Sequence, residues 1–453
     1  MLNPLYDNYS IIPQYADYSS PRLLLIQSGQ GWTLPRHNSD FESEINTLMR
    51  EQLGLTTTFL YIAYDRYKGD DNDEREEKHL VYALENHSPG VEPRVGKWMS
   101  REDIAQLDLL VPEHRPVIKA WFDEMEHGSH EQRLPWMYAG WYDGAVAWIR
   151  EQTVALGYTI TGDIQQVKVR VWSEVMRVST DKGIVYFKAV PGYFAYEPPM
   201  TQIIHLYAPT QTPPVLAVDE QRLWMLMRDA GTVMRGERDP KRWEAMLPLY
   251  AQLQMKLINH VDELLAVGVP DGRLMKLPQI YEHILADKEL LLLGQEKGLP
   301  MHEYEQLLSM TPQVEEMCAK LASYNIPETL HHDDLHGNNV LWNGETYIFF
   351  DWSDCAITHP FCSLFIVLRV AKFVLKFDEE TQNRLITAYL MPWTRYAPME
   401  QLREAFAIAH RLGALLRSWT YYYLIKNLEP SMRGELEDGL PYFLRVFLGT
   451  ESL

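Results

Sequence analysis

The stretch His332-Asp333-Asp334-Leu335-His336-Gly337-Asn338-Asn339 sets a carboxylate, Asp334, five positions before an amide, Asn339, and a second carboxylate, Asp351, follows one hairpin later. A carboxylate beside an attacking hydroxyl can take its proton. An amide oxygen and a carboxylate held close together suit Mg2+, a hard cation that prefers oxygen ligands and substrate phosphates. The fixed part, His-x-Asp-Leu-x-x-x-Asn, therefore points to phosphate chemistry with Asp334 as base and Asn339 and Asp351 as metal ligands. The same stretch, with His331 before it, is also a dense His/Asp cluster, the kind of donor set that binds zinc or iron in a hydrolase. Adjacent His331 and His332 on an extended segment face opposite ways, which opposes a single shared ion. The plainest alternative is a solvated loop whose Asp and Asn residues cap turns.

The elements around this loop must bring Asn339 and Asp351 together. Val340-Leu341-Trp342 and Thr346-Tyr347-Ile348-Phe349-Phe350 are apolar and β-prone, and Asn343-Gly344 between them predicts the type I′ turn of a two-residue hairpin. Folding back there places Asn339 and Asp351 at the same open end.

Upstream, Tyr186-Phe187-Lys188-Ala189-Val190 carries a lysine inside an apolar strand. Lysines are rarely buried without a partner, so Lys188 needs an anion: nucleotide phosphates, a carboxylate, or both. Glu197, on the next expected helix, is the nearest carboxylate for that role. Strands are expected over 165–172, 175–178 and 183–190, the last two joined at Asp181-Lys182, and a hairpin over 214–218 and 223–227. Helices are expected over 136–156, 240–265, 278–293, 301–324, 360–377, 381–389, 399–423 and 440–448.

The N-terminal region reads as a strand at 22–27, Trp32-Thr33-Leu34-Pro35, then a helix N-capped by Asp40 with Ile45, Leu48, Met49 and Leu53 on one face, ended by Gly54. A strand near 80–84, Lys97-Trp98-Met99-Ser100 and a helix from Arg101 follow. The charged stretch Asp123 to Pro135 reads as a linker.

With 453 residues, 46% hydrophobic and 12% aromatic, the chain can bury several cores. Three cysteines, Cys318, Cys355 and Cys362, are too few and too uneven for a disulfide framework, so a cytoplasmic setting is expected. No signal peptide is read at Met1-Leu2-Asn3-Pro4, and the apolar run from Cys362 to Leu375 is too short to span a bilayer and holds Arg369 and Lys372. A net charge of −20 disfavours nucleic acid and anionic membrane as partners.

From about residue 137 onward the chain resembles the aminoglycoside phosphotransferase/choline kinase-type family. The likeness rests on Lys188 with Glu197, on His332-x-Asp334-Leu335-His336-x-x-Asn339, on Asp351-Trp352 and on His359-Pro360. It implies an α+β, protein-kinase-like bilobal fold, with an N-lobe at 137–230 and a helical C-lobe at 231–453. It implies ATP and Mg2+, a small-molecule alcohol as phosphate acceptor, Asp334 as catalytic base, Asn339 and Asp351 as metal ligands and Lys188 as phosphate anchor. Ser173, in Trp172-Ser173-Glu174, stands where protein kinases have a glycine-rich phosphate loop, and Met227 and Arg228 fall at the adenine hinge. His332 supports the loop, while His336 and Asp354 line the same mouth, where they contact substrate or support the loop. There is no Ala-Pro-Glu activation segment, which speaks against a protein kinase.

Residues 1–127 resemble a Nudix domain, joined through 128–136. Thr47-Leu48 stands where that family has Arg-Glu, and Glu51-Gln52 where it has Glu-Glu, so the likeness implies lost hydrolase chemistry. Two other readings remain beside an ATP-dependent small-molecule kinase. One is an inactive kinase-fold nucleotide sensor fused to a degenerate Nudix domain. The other is the metal-dependent hydrolase. The acceptor and the oligomeric state are not encoded legibly.

Overall fold

Ile45, Met49 and Leu53 lie on the buried side of the helix Glu42–Leu53, which stops where Gly54 turns left-handed (φ 75°). Leu48 of the same expected stripe is half-buried. Asp40, expected as the N-cap, lies outside the described residues: the computed structural model describes residues 5–14, 20–29, 31–39, 41–68 and 77–451. The chain is a mixed α+β protein that divides into two units, Met1–Pro191 and Gly192–Leu453. That border falls inside the stretch expected as one N-lobe at 137–230.

In the first unit a four-stranded sheet runs in the order Arg36–His37, Leu5–Ile11, Glu77–Asn86, Thr57–Lys68, with Leu5–Ile11 and Glu77–Asn86 parallel. A second small sheet joins Gly31–Thr33, Leu23–Ser28 and Lys97–Met99. Ile11, Leu23, Leu25, Val81, Ile118 and Phe122 form the core between these strands and the helix His114–His127. The helix expected from Arg101 is short, Arg101–Ala105. It opens on a capping box, in which the Asp103 amide donates to Ser100 Oγ (3.2 Å) and the Ser100 amide to Asp103 Oδ2 (3.0 Å).

The first part of the expected linker is helical, and its later part is anchored. Asp123 to His127 continue the helix, and buried Arg133 reaches back with a bidentate pair to Glu124, Nη1 to Oε1 at 2.8 Å and Nη2 to Oε2 at 3.1 Å. Composition alone could not reveal that pairing, because the two charges sit nine residues apart on a helix and on the loop after it. A 3-10 turn, Pro135–Met137, precedes the helix Trp141–Ala155, which starts later than expected. The strands Ile160–Arg170, Ser173–Thr180 and Gly183–Ala189 then form an antiparallel meander, with a two-residue turn, Val171-Trp172, between the first two.

In the second unit the strands Val215–Asp219 and Trp224–Arg228 make the expected hairpin. The helix Pro240–Leu257 is capped by Asp239, with proline at its first position. Helix 278–293 ends early, as Leu277–Ala286, and 301–324 is two helices, Met301–Ser309 and Thr311–Ala322. Pro312 explains the second difference, since its ring cannot continue a helix from the preceding turn. The stretch expected as helix 360–377 is a 3-10 turn Pro360–Ser363, a helix Leu364–Arg369 and a π segment Val370–Val374. Glu379–Leu390, the 29-residue Met399–Asn427 and Gly439–Leu448 complete the helical part. Among the described residues no helix is long and apolar enough to cross a membrane.

Glu85, on the strand Glu77–Asn86, is a buried carboxyl in the first unit. One oxygen accepts from the Gly140 amide (2.7 Å), and the other lies 3.6 Å from His87 Nε2. Burial pushes its pKa up to about 7, with Asp143 adding to the rise and the Gly140 N–H opposing it. Between the ordinary value of 4.5 and about 7 the native chain therefore holds a proton that the unfolded chain has lost. Stability must fall as pH rises through that window. Glu85→Gln should flatten this slope, so that its stability relative to wild type improves by on the order of 2–3 kcal/mol between pH 4.5 and 7.5. Urea denaturation of the full chain across that range checks it.

Candidate active site

The loop is launched from a fully buried strand, Thr329–His332, paired antiparallel to Cys355–Thr358. Alternation along the strand sends its two histidines to opposite sides. His331 Nδ1 meets Ser363 Oγ (2.9 Å) and its Nε2 meets Asp333 Oδ1 (3.1 Å). His332 is 3.1 Å through Nε2 from the Phe350 carbonyl and accepts the Asp334 amide on Nδ1 (3.2 Å). This pattern requires a neutral ring protonated on Nε2, and burial pushes the His332 pKa down to about 4. Both ring nitrogens are thus spent on the loop backbone. Among the described residues no group of three or more His, Cys, Asp or Glu side chains is placed to hold a metal ion.

Asp334 sits one residue beyond that strand and its neighbour. Its Oδ2 meets His336 Nε2 (3.0 Å) and accepts from Asn339 Nδ2 (3.0 Å), while Asn339 Nδ2 also donates to the Asp334 carbonyl (2.9 Å). His336 Nδ1 accepts the Asn338 amide (3.1 Å), so a single proton on Nε2 satisfies the ring. Because both bonds of the Asn339 amide nitrogen point at Asp334, its oxygen is turned to the opposite side. That oxygen has no hydrogen-bond donor among the described residues.

The hairpin forms, but not in the register of a two-residue Asn343-Gly344 turn: Val340 lies opposite Phe349 and Trp342 opposite Tyr347, with Asn343 to Thr346 between them. Its turn differs from the expected type I′. Asn343 Oδ1 accepts the amides of Glu345 (2.9 Å) and Thr346 (2.8 Å), and only Gly344 has a positive φ (97°). The loop is thus closed by the Asn343 side chain, with left-handed backbone at Gly344 and not at Asn343. At the open end the Phe350 amide donates to the Asn339 carbonyl (3.2 Å), and Asp351 follows with φ 64°. Two glycines fit this assembly closely. A Cβ on Gly231 (φ 141°) would lie 2.6 Å from the Trp342 carbonyl oxygen, and one on Gly337 2.7 Å from that of Met234.

Glu197 begins the helix Glu197–Tyr207 and is buried. Its carboxylate accepts the Trp352 amide (3.2 Å) and Ser353 Oγ (2.6 Å), so it clamps the two residues that follow Asp351. Met227 and Arg228 end the strand Trp224–Arg228, the first half-buried and the second exposed. Lys188 and Ser173 belong to the first unit. Lys188 is buried opposite Val175, and Ser173 opens its strand buried, its Oγ without a hydrogen-bond partner among the described residues. The second unit thus gathers His332, Asp334, His336, Asn339, Asp351, Asp354 and Glu197. A cavity of about 960 Å³ lies in the first unit, and none of the expected site residues lines it.

Sequence reasoning missed Arg417. From the helix Met399–Asn427 its Nη1 donates to the Asp333 carbonyl (3.1 Å) and to Asp354 Oδ2 (2.9 Å), and its Nη2 to Asp334 Oδ1 (3.3 Å). Three residues on, Thr420 Oγ donates to Asp333 Oδ2 (2.7 Å) from the same helix face. Burial alone would raise the Asp334 pKa, but the Arg417 and His336 partners outweigh it and hold the carboxyl well below its usual range. Asp354 goes the other way. Burial, reinforced by Asp334, Asp333 and Asp351 against Arg417, pushes it up to about 7. The available signal was an arginine inside the apolar run Leu412 to Trp419, the same argument that singled out Lys188.

Comparison with known proteins gives one family. Residues 213–404 match the phosphotransferase enzyme family (APH). No curated protein matches the chain. Among solved structures, macrolide 2′-phosphotransferase type I is similar at 13% identity and a TM-score of 0.45, over 66% of this chain and 96% of that one. Choline kinase from Cryptosporidium parvum Iowa II gives 12% and 0.46, over 63% and 88%. Choline kinase from Streptococcus pneumoniae gives 11% and 0.47, over 68% and 99%. At such identities the activity rests on the matched segment and its residues. That segment holds Met227, Arg228, the loop, the hairpin and Asp354, and stops before Arg417. Through residues 213–404 the chain is a phosphotransferase enzyme.

Proposed function

We propose that the protein moves the γ-phosphate of Mg·ATP to a hydroxyl of a small molecule, an amino sugar, a choline-like amine or a similar alcohol. The observation that carries this reading is the Asn339 amide. Its nitrogen is committed to Asp334, which leaves its oxygen, with the Asp351 carboxylate across the hairpin end, as an all-oxygen donor set. Such a set fits Mg2+, which when bound supplies charge neutralisation on the β- and γ-phosphates.

Asp334 orients the acceptor hydroxyl. As its oxygen attacks, the new O–P bond forms, the bond from the γ-phosphorus to the bridging oxygen breaks, ADP leaves, and the hydroxyl proton passes to Asp334. A carboxylate held below its usual pKa is a weak base. It serves a reaction in which the proton moves late and alignment dominates, as in a loose phosphoryl-transfer transition state. His332 holds the loop backbone, and Glu197 holds the segment after Asp351. Lys188 anchors phosphate, Ser173 covers it, and Met227 with Arg228 forms the adenine hinge. His336 and Asp354 line the acceptor side.

The domain reading is part of the proposal: a kinase-like N-lobe at 137–230 and C-lobe at 231–453, preceded by a Nudix-like module at 1–127 and a connector at 128–136. In that module the helix Glu42–Leu53 carries Thr47, Leu48 and Gln52 where hydrolysis needs charged groups, so it docks or senses rather than hydrolyses. The three cysteines, all free and buried, suit a reducing cytoplasm.

Asp334→Asn should lower transfer by about 10²–10⁴-fold while Mg·ATP still binds, measured as ADP release with a panel of alcohols beside calorimetric nucleotide titration. Near-normal turnover in that variant would reject the assignment. Asp351→Asn should weaken Mg2+-dependent ATP binding by on the order of tenfold or more and leave metal-free binding unchanged, and equal binding with and without Mg2+ in wild type would exclude the metal role.

A further inference from the structure

We propose that Arg417 is a positioning residue for the transfer: it fixes the rotamer of Asp334 and so assigns Oδ1 as the oxygen that receives the acceptor hydroxyl. The inference rests on the function proposed above. The two oxygens of Asp334 are not equivalent. Oδ2 faces both His336 Nε2 and Asn339 Nδ2 at 3.0 Å, which fills its in-plane lone-pair directions. Oδ1 meets one donor, Arg417 Nη2, at a longer 3.3 Å, and keeps a direction open for a hydroxyl.

The guanidinium can act as a reference point because other groups fix it. Its Nη1 is held by the Asp333 carbonyl and by Asp354 Oδ2, and its carbon lies 5.2 Å from the Tyr421 ring and 6.0 Å from that of Phe443. Asp333 is itself immobilised by His331 and Thr420. Arg417 therefore bridges the residue before Asp334 and the segment after Asp351, the two stretches that the hairpin brings together. A planar fork with fixed donors can do this, whereas a lysine ammonium on a flexible stem cannot hold three acceptors in one plane.

Arg417→Lys keeps the charge and loses the fork. Its kcat should fall about a hundredfold with the KM for Mg·ATP within about twofold, since a displacement of about 1 Å at a reacting group has that effect. The thermal midpoint should stay close to wild type. In an Asp334→Asn background the same change should cost nothing further, because a residue that acts through Asp334 has nothing left to position. Near-wild-type kcat in Arg417→Lys, or an equal fold loss in both backgrounds, overturns the inference.

Crystal structures of Arg417→Ala, or of Arg417→Gln if the alanine variant does not fold, provide a test that needs no turnover. The Asp334 carboxylate should leave its present rotamer, and retention of that rotamer overturns the inference. If wild type transfers phosphate to no alcohol, the proposed function fails, and these structures still decide whether Arg417 sets the carboxylate.

Discussion

Three carboxylates cannot share a largely buried space unless a cation stands among them. At an effective dielectric of about 20, two unit charges 4 Å apart interact by about 4 kcal/mol, which is comparable to much of a domain's net stability. Asp333, Asp334 and Asp354 meet this constraint through Arg417, whose guanidinium reaches all three. The division of charge follows from the geometry. Asp334, with a second donor in His336, stays ionised, while Asp354 is pushed toward the protonated form. The orientation of the Asn339 amide, and with it the direction of its oxygen, depends on that ionised Asp334.

The cluster is tied to the interior by a buried polar chain. Asp333 passes through His331 to Ser363, and Ser363 meets both Tyr250 OH (2.9 Å) and Gln254 Nε2 (3.2 Å). Gln254 Nε2 also donates to the Leu330 carbonyl (2.8 Å), and its Oε1 accepts from Tyr389 OH (2.5 Å). A buried network is costly when half satisfied and rigid when complete. This one is complete at each of these links and places the strand before the loop at a fixed depth against two helices, Pro240–Leu257 and Glu379–Leu390. Phosphoryl transfer asks mainly for alignment, so rigidity in this strand is as chemical a feature as the Asp334 carboxylate.

Much of this site was legible because its parts are local. The loop spacing and the β-prone flanks of the hairpin are patterns within ten residues or so. The turn type was misread because Asn343 has two uses, left-handed backbone or a side-chain acceptor, and sequence does not choose between them. The stretch read as a linker from Asp123 begins inside a helix, and charge alone does not reveal that Arg133 pairs with Glu124. An arginine in an apolar run flags Arg417 as buried but does not name its partners, which lie 63 to 84 positions upstream where no spacing rule connects them. The break between Ser309 and Thr311 follows from Pro312, which apolar periodicity does not register.

The same distinction between local and distant partners explains why the reaction can be argued more closely than its acceptor. In the proposed reaction a catalytic base and two oxygen ligands must sit within a few ångströms of one phosphate, and a loop and hairpin of under twenty residues carry all three groups. Acceptor recognition has no such economy. The face toward Asp334 Oδ1 is built by the long helix Met399–Asn427 and by Asp354, elements that converge only through tertiary packing. Arg417 neutralises the carboxylates there, so the acidity of the chain as a whole does not by itself make this mouth select a cation.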